Sequence, residues 1–260
     1  MAEAPGETTG GRVAGTQAIR RAFAVLDLFR EGEGELGVVQ VAEELGLTLS
    51  TAHRIARALV SEGYLAQSGG RERYRLGLHA LLLGQAAQRA MGMEVAKPVL
   101  QRLAEQTQES VNLGLADVDH AVVIQRVEST QALRFSVEVG STVELHATSM
   151  GKALLAFNDD LRRQVEAHER FNQLTDKTHG TLTGLLDDLE EVKQRGWSID
   201  DEESMPGVRC VAAPIIGPDG QARAAVAVQA PAVRMPDPRF FELGPMVRQA
   251  ADELARIIPM

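Results

Sequence analysis

The chain has 260 residues, 44% of them hydrophobic and 24% charged, and a net charge of −9 at pH 7. Those proportions exclude a disordered chain, which is poorer in apolar residues, and the length suits two domains. No apolar run reaches the roughly 18 residues of a membrane-spanning helix, and a single cysteine, Cys210, excludes an intrachain disulfide and a four-cysteine zinc site.

The opening MAEAPGETTGGRVAG is polar and Gly-rich, without the basic start and apolar core of a signal peptide. It reads as a flexible tail over 1–15 on a cytoplasmic protein. From Thr16 to Glu31, Ile19, Ala22, Phe23, Leu26 and Phe29 recur at helical spacing and predict one buried face. Gly32, Gly34 and Gly37 then form a literal G-x-G-x-x-G. A dinucleotide site needs a strand before that motif and no acids facing the pyrophosphate, yet a helix precedes it and Glu33 and Glu35 sit inside it. The motif is a loop.

Val38, Val41, Ala42 and Leu45 give the inner face of a second helix, and Gly46 ends it. A third helix is predicted from Leu49 to Glu62, with Thr48 or Ser50 placed to cap its start. Ala52, Ile55, Ala56 and Leu59 turn inward, while Ser50, Thr51, His53, Arg54 and Arg57 turn out. Arginine pairs with guanine edges, and small hydroxyls fit phosphates or bases, so these residues with Thr48 are candidate DNA contacts. Tyr64–Gln67 and Tyr74–Leu76 are strand candidates around Ser68-Gly69-Gly70-Arg71. Alternation puts Arg71, Arg73 and Arg75 on one face of the returning strand, where the repulsion of three like charges calls for an anion such as DNA phosphate. Charge follows the same division: residues 48–77 hold five arginines against two glutamates, and the acidic excess lies elsewhere. The pattern is that of a winged helix-turn-helix over 16–77.

Residues 78–92, LHALLLGQAAQRAMG, form a helical stretch too apolar to stand alone in water. Beyond it, 93–260 reads as a second domain. A helix from Val95 to Gln108 precedes strand candidates at Asn112–Ala116, Ala121–Val127 and Leu133–Val137. Helices are predicted at Ser149–Phe157, Asp160–His168 and Thr183–Gln194. Strands at Cys210–Ile216 and Ala222–Ala230 turn through Gly217-Pro218-Asp219-Gly220, and a closing helix spans Asp237–Ile257. Strands with flanking helices make this an α+β sensor domain.

Five segments in order, LGLTLSTAHRIARALVSEGYL, RYRLG, LHATSMGKALLA, DDEESMPGVRCVAAPI and GQARAAVAVQAP, carry a resemblance to the IclR family of transcriptional regulators from about Thr16 to Ile257. The resemblance implies a winged helix-turn-helix joined by a linker helix at 78–92 to a GAF- or profilin-like antiparallel sheet domain with flanking helices. It also implies that the linker contributes to dimer contacts. Carried over residue by residue, the family's effector pocket falls on Phe135, Ser149, Met150, Gly151, Asp200, Val208, Cys210, Ala227 and Gln229. Backbone N–H groups near Ser149–Gly151 and the helix dipole would favour a carboxylate, and Asp200 would accept from a ligand hydroxyl or amine. Some members place small hydroxyl residues where Ala227 and Gln229 stand, a departure that argues against a short keto acid.

Ser149 and Lys152 form a literal S-x-x-K, but the S-D-N and K-T-G partners of a penicillin-binding enzyme are missing. Cys210 lies in an apolar strand-like run, where a buried structural thiol is expected. His146, Cys210 and the acids of 200–203 lack zinc spacing. The expectation is a non-enzymatic DNA-binding regulator, a repressor, with no cofactor and no metal. Its partners would be double-stranded operator DNA, an anionic or polar effector and a second copy, as a dimer or a dimer of dimers. The alternative is a metabolite-binding or hydrolytic protein using Ser149 and Lys152 or Cys210, its N-terminal module serving protein contacts.

Overall fold

The computed structural model describes residues 16–32, 34–69 and 73–259. The expected tail at 1–15 and the candidate Arg71 lie outside the described residues. Two compact units, 1–87 and 88–260, divide the chain, and the division falls within the stretch read as a linker.

In the first unit, α1 (Thr16–Glu31), β1 (Leu36–Gly37), α2 (Val38–Glu44), α3 (Leu49–Ser61), β2 (Leu65–Gln67) and β3 (Arg73–Leu76) follow in order. β3 lies between β1 and β2, antiparallel to both. The core is Val25 and Phe29 of α1, Val38, Val41 and Ala42 of α2, Ala52 and Ala56 of α3, Leu65 and Tyr74. Gly46, with φ of 58°, lets the chain reverse between α2 and α3. The predicted inner face of α1 is corrected here: Val25 and Phe29 are buried, whereas Ile19 is 58% and Phe23 63% exposed. α1 therefore carries two apolar stripes, one in the core and one along an open groove of about 1000 Å³, whose lining includes Ile55, Leu59, Leu76 and Leu83. α4 (Leu78–Ala90) buries none of its residues.

The second unit contains α5 (Met93–Thr107), β4 (Ser110–Ala116), β5 (His120–Val127), β6 (Thr142–Glu144), α6 (Ser149–Ala156), α7 (Asp159–Glu166), α8 (Leu182–Arg195), β7 (Ser198–Asp201), β8 (Val208–Ile216), β9 (Ala222–Pro231) and α9 (Asp237–Ile257). Its six strands pair antiparallel in the order β6-β5-β4-β9-β8-β7. Leu133–Val137, expected as a strand, joins no ladder, and the edge position goes to Thr142–Glu144 instead. β7 is an addition; its sequence Ser-Ile-Asp-Asp has too little apolar character to mark a strand.

Side chains alternate across this sheet. Val111, Val211, Val226 and Val228 face α5 and α9 and form the larger core with Leu100, Leu103, Leu243 and Val247. Ala212, Ala225 and Ala227 face the other way and pack against α6 and α8 through Leu154, Leu155, Leu185 and Leu189. The small alanines let α6 lie close to the sheet, and Gly151 lies against the segment that joins β6 to α6. A Cβ there would sit 2.3 Å from Leu145 Cα.

Candidate functional site

Thr48 caps α3: its Oγ1 accepts from the Thr51 N–H at 3.3 Å. The hydroxyls of Ser50 and Thr51 lie 3.2 and 2.8 Å from the same atom, so three of the predicted DNA contacts form one hydroxyl cluster at the helix start. Thr51 and His53 are half-buried, while Ser50, Arg54 and Arg57 are exposed. In β3 the buried Tyr74 separates exposed Arg73 and Arg75, as alternation predicts. Their electrostatics differ. Arg73 is paired with Glu35, Nε 3.6 Å from Oε2, and its Nη2 donates to the Glu35 carbonyl at 3.1 Å. Ser68 also donates to the Glu35 carboxylate. The loop carrying the rejected glycine motif thus braces the wing. Arg54, Arg57 and Arg75 have no side-chain partner among the described residues.

On the second unit's sheet, antiparallel partners place two rows of side chains on the α6 face. One row runs Arg126, Asn112, Ala227, Ala212, Ser198 across β5, β4, β9, β8 and β7. The next runs Ser110, Gln229, Cys210, Asp200. Of the predicted pocket residues, Asp200, Cys210, Ala227 and Gln229 are brought together in these rows, and Val208 lies one pleat beyond Cys210. Ser149 joins them from α6: its carbonyl accepts from Ser198 Oγ at 2.5 Å, and its hydroxyl lies by the Cys210 thiol. Met150 lies against Gly114 of β4. Phe135 takes part through its carbonyl, which accepts from Arg126 Nη2.

Several expected donors and acceptors are already engaged. The Gly151 N–H donates to Thr148 Oγ1 at 3.0 Å. Asp200 is fully buried, and its carboxylate accepts from the Glu203 and Ser204 N–H groups at 2.8 and 3.2 Å and from the Ser204 hydroxyl. Burial lifts its carboxyl to about 6 against the lowering bond from Ser204. Burial, with Asp200 alongside, also pushes the Cys210 thiol well above its ordinary value, which leaves it protonated and unreactive. Lys152, 1% exposed, donates to Asp188 Oδ2 and Glu203 Oε1, each at 2.6 Å. It is locked in an ion network and is no base for Ser149. His146 Nε2 lies 2.9 Å from the Asn172 carbonyl and its ring stacks on Phe171, and among the described residues it forms no metal-ligating group with Cys210. His179, Asp188 and Glu203 do converge, but the Lys152 ammonium already bonds both carboxylates.

Ser110, Asn112 and Arg126 were not among the candidates from sequence. In β5, Ala121 and Val123 face α6, and strict alternation would put Gln125 with them and Arg126 opposite. The register shifts between Leu113 and Gly114, so that Val123 pairs with Gly114 and Gln125 with Leu113. Ile124 is the extra residue of a β-bulge, and the bulge turns Arg126 onto the α6 face.

Sequence comparison agrees with this architecture. Residues 18–69 match the IclR helix-turn-helix domain and residues 85–256 match the C-terminal domain of the bacterial transcriptional regulator IclR. The chain belongs to the IclR family of transcriptional regulators. Among relatives in this family, the transcriptional regulator BhcR of Paracoccus denitrificans is 35% identical over 93% of this chain and 87% of its own length. The acetate operon repressor of Salmonella typhimurium is 33% identical over 96% and 93%. The IclR crystal structure from Thermotoga maritima superposes with a TM-score of 0.73 at 26% identity, covering 93% of this chain and 98% of that one. As an IclR-family member, the protein is a DNA-binding transcriptional regulator with an N-terminal helix-turn-helix and a C-terminal effector domain. No described helix is long and apolar enough to cross a membrane.

Proposed function

We propose that this regulator is a repressor that holds operator DNA with the outer face of α3 and the returning strand of its wing, as a homodimer or a dimer of such dimers. The observation that carries the reading is the set of exposed arginines without a partner among the described residues, Arg54 and Arg57 on α3 and Arg75 on β3, in a chain that is acidic elsewhere. Arg54 and Arg57 point from a helix of groove-fitting width and read base edges, while Arg75 binds phosphate. Arg73, paired with Glu35, orients the wing and binds DNA weakly, and Arg71 adds a further phosphate contact. The second copy covers the apolar face of α1 and α4, where Ile19, Phe23, Leu78, Leu81 and Leu83 are each more than half exposed.

The second unit, proposed to begin near Met93 after the 78–92 linker, holds a small anionic or polar effector. It would sit between the α6 face of the sheet and the α6 start, among Phe135, Ser149, Met150, Gly151, Asp200, Val208, Cys210, Ala227 and Gln229. Effector binding shifts operator affinity by its differential affinity for two states of the protein. No catalytic role is assigned: the candidate nucleophile Cys210 is protonated and the candidate base Lys152 is paired.

The test is fluorescence anisotropy with a duplex selected from a randomised pool. Binding should weaken steeply as salt rises, because phosphate contacts release counterions. Arg54→Ala should cost about 1–3 kcal/mol and relax base preference, whereas Arg75→Ala should weaken all sequences alike and flatten the salt dependence. Salt-independent binding, or equal and sequence-blind losses at both positions, would refute the reading.

A further inference from the structure

Arg126 occupies an environment that ordinary surface arginines avoid. Its side chain is 6% exposed, and the hydrogen bonds it makes go to neutral partners. Nη1 lies 3.3 Å from Asn112 Oδ1 and 3.4 Å from Gln229 Oε1, Nη2 lies 3.4 Å from Ser110 Oγ, and Nη2 also donates to the Phe135 carbonyl. Among the described residues Nε has no hydrogen-bond partner. The nearest carboxylate, Glu128, is 3.9 Å from Nε, is half exposed, and is shared with Arg134 at 3.5 Å. Two guanidiniums thus share one solvated carboxylate, and the one that is buried keeps the longer contact. Burial pulls the Arg126 guanidinium below its ordinary value, Glu128 offsets this in part, and Arg134 adds to it.

A buried charge without a close counter-ion is costly, and native chains keep one where a partner arrives. The bulge at Ile124 makes the placement specific, since without it this side chain would face the opposite side of the sheet. Asn112, Gln229 and Ser110 hold the guanidinium among groups that can also donate, through their amide or hydroxyl hydrogens, to a second acceptor.

We propose that Arg126 anchors the carboxylate of an anionic effector, in a site completed by Asn112, Gln229 and Ser110 on the α6 face of the sheet. The inference rests on the sensor reading above and narrows it to a ligand class. A planar carboxylate pairs with the unpartnered Nε–H and with an Nη2–H released from its 3.4 Å contact to Ser110, two parallel charge-assisted hydrogen bonds that an uncharged ligand or an ammonium in place of the arginine would not reproduce. The rest of the ligand extends from Arg126 past Asn112 to the adjacent row, toward Gln229 and Cys210.

The full-length chain is titrated calorimetrically with acetate, succinate and benzoate, and with acetamide, succinamide and benzamide as charge-free counterparts. At least one acid should bind, with its amide weaker by about tenfold or more, and Arg126→Gln should lose a similar factor for the acid. Arg126→Lys should retain weaker binding of the same acid. In carboxylate-free buffer Arg126→Gln should melt at or above the parent temperature, since it removes an unpaired buried charge, and the acid should raise the melting temperature of the parent alone. Equal binding of the acid to parent and Arg126→Gln, equal binding of acid and amide, or no millimolar binding of any acid to the parent would overturn the assignment. Operator anisotropy separates the two readings. If the acid releases DNA from parent and Arg126→Gln alike, the sensor stands and Arg126 falls. If the acid binds through Arg126 and leaves DNA affinity unchanged, the anchor stands and the sensor falls.

Discussion

Lys152 sits between two carboxylates with almost no access to water, so its loss would leave Asp188 and Glu203 buried with one cation fewer. Lys152→Met is expected to destabilise the chain by about 3–5 kcal/mol, read as a fall in urea midpoint. An unchanged midpoint would mean that water reaches the pair. Acid acts on the same cluster: burial alone would raise Asp188, but bonds from His179 and Lys152 outweigh it and hold the carboxyl at about 2. That lies below the value of about 3.9 for an unfolded aspartate, so this contribution is complete above that pH and drains as pH falls toward 2. Asp200 has the opposite sign. Its carboxyl is lifted to about 6, so the folded chain holds the proton longer than the unfolded one. The associated stability is present below about pH 4 and is lost as pH rises through 6. Asp200→Asn keeps an acceptor for the Glu203 N–H and cannot ionise. Relative to the parent it should gain about 2–3 kcal/mol between about pH 4 and about pH 7.5. A parent-minus-variant difference that stays flat over that range, measured by urea denaturation, would show that the three hydrogen bonds already offset the burial.

At the level of elements, the helix-turn-helix was legible because its signals are local. Thr48, the 3.6-residue spacing of α3 and Gly46 each act within one turn of chain, and the observed bounds, Leu49–Ser61, differ from the expected ones by a single residue. α9 was legible for the same reason. The misreadings arise where distant segments decide. Leu133–Val137 has a strand's composition, yet the Phe135 carbonyl goes to the Arg126 side chain and not to a neighbouring strand. Ser198–Asp201 becomes a strand because the β8 edge is open to it, although its own residues favour a turn. Arg126 was hidden because a bulge reversed the alternation that sequence reading relies on. The wing shows how closely such distant segments meet. A Cβ on Gly77 would lie 2.2 Å from the Gly63 carbonyl oxygen and 2.9 Å from that of Leu65, backbone atoms that cannot step aside. Gly77→Ala should therefore cost about 1–3 kcal/mol by overpacking, lower the melting temperature of the first unit and loosen the hairpin that carries Arg75. If the variant melts with the parent and binds DNA equally, the hairpin is more pliable than this contact implies.

At the scale of the whole molecule, the outer stripe of α1 and the leucines of α4 present an apolar surface that no part of the first unit's own core covers. Isolated exposed leucines are ordinary, but Ile19 and Phe23 on one helix, and Leu78, Leu81 and Leu82 on another, each recur at helical spacing, as a buried interface requires. Phe23→Asp with Leu82→Asp places two charges on that surface and touches no residue of the helix-turn-helix core. Sedimentation velocity should then report a monomer with unchanged helical content. The consequence for DNA follows from counting phosphates: one copy reaches half the contacts of two, so the dependence of log affinity on log salt should fall to about half the parent slope. A double variant that still sediments as the parent, or a monomer that keeps the full slope, would place the interface between copies elsewhere on the chain.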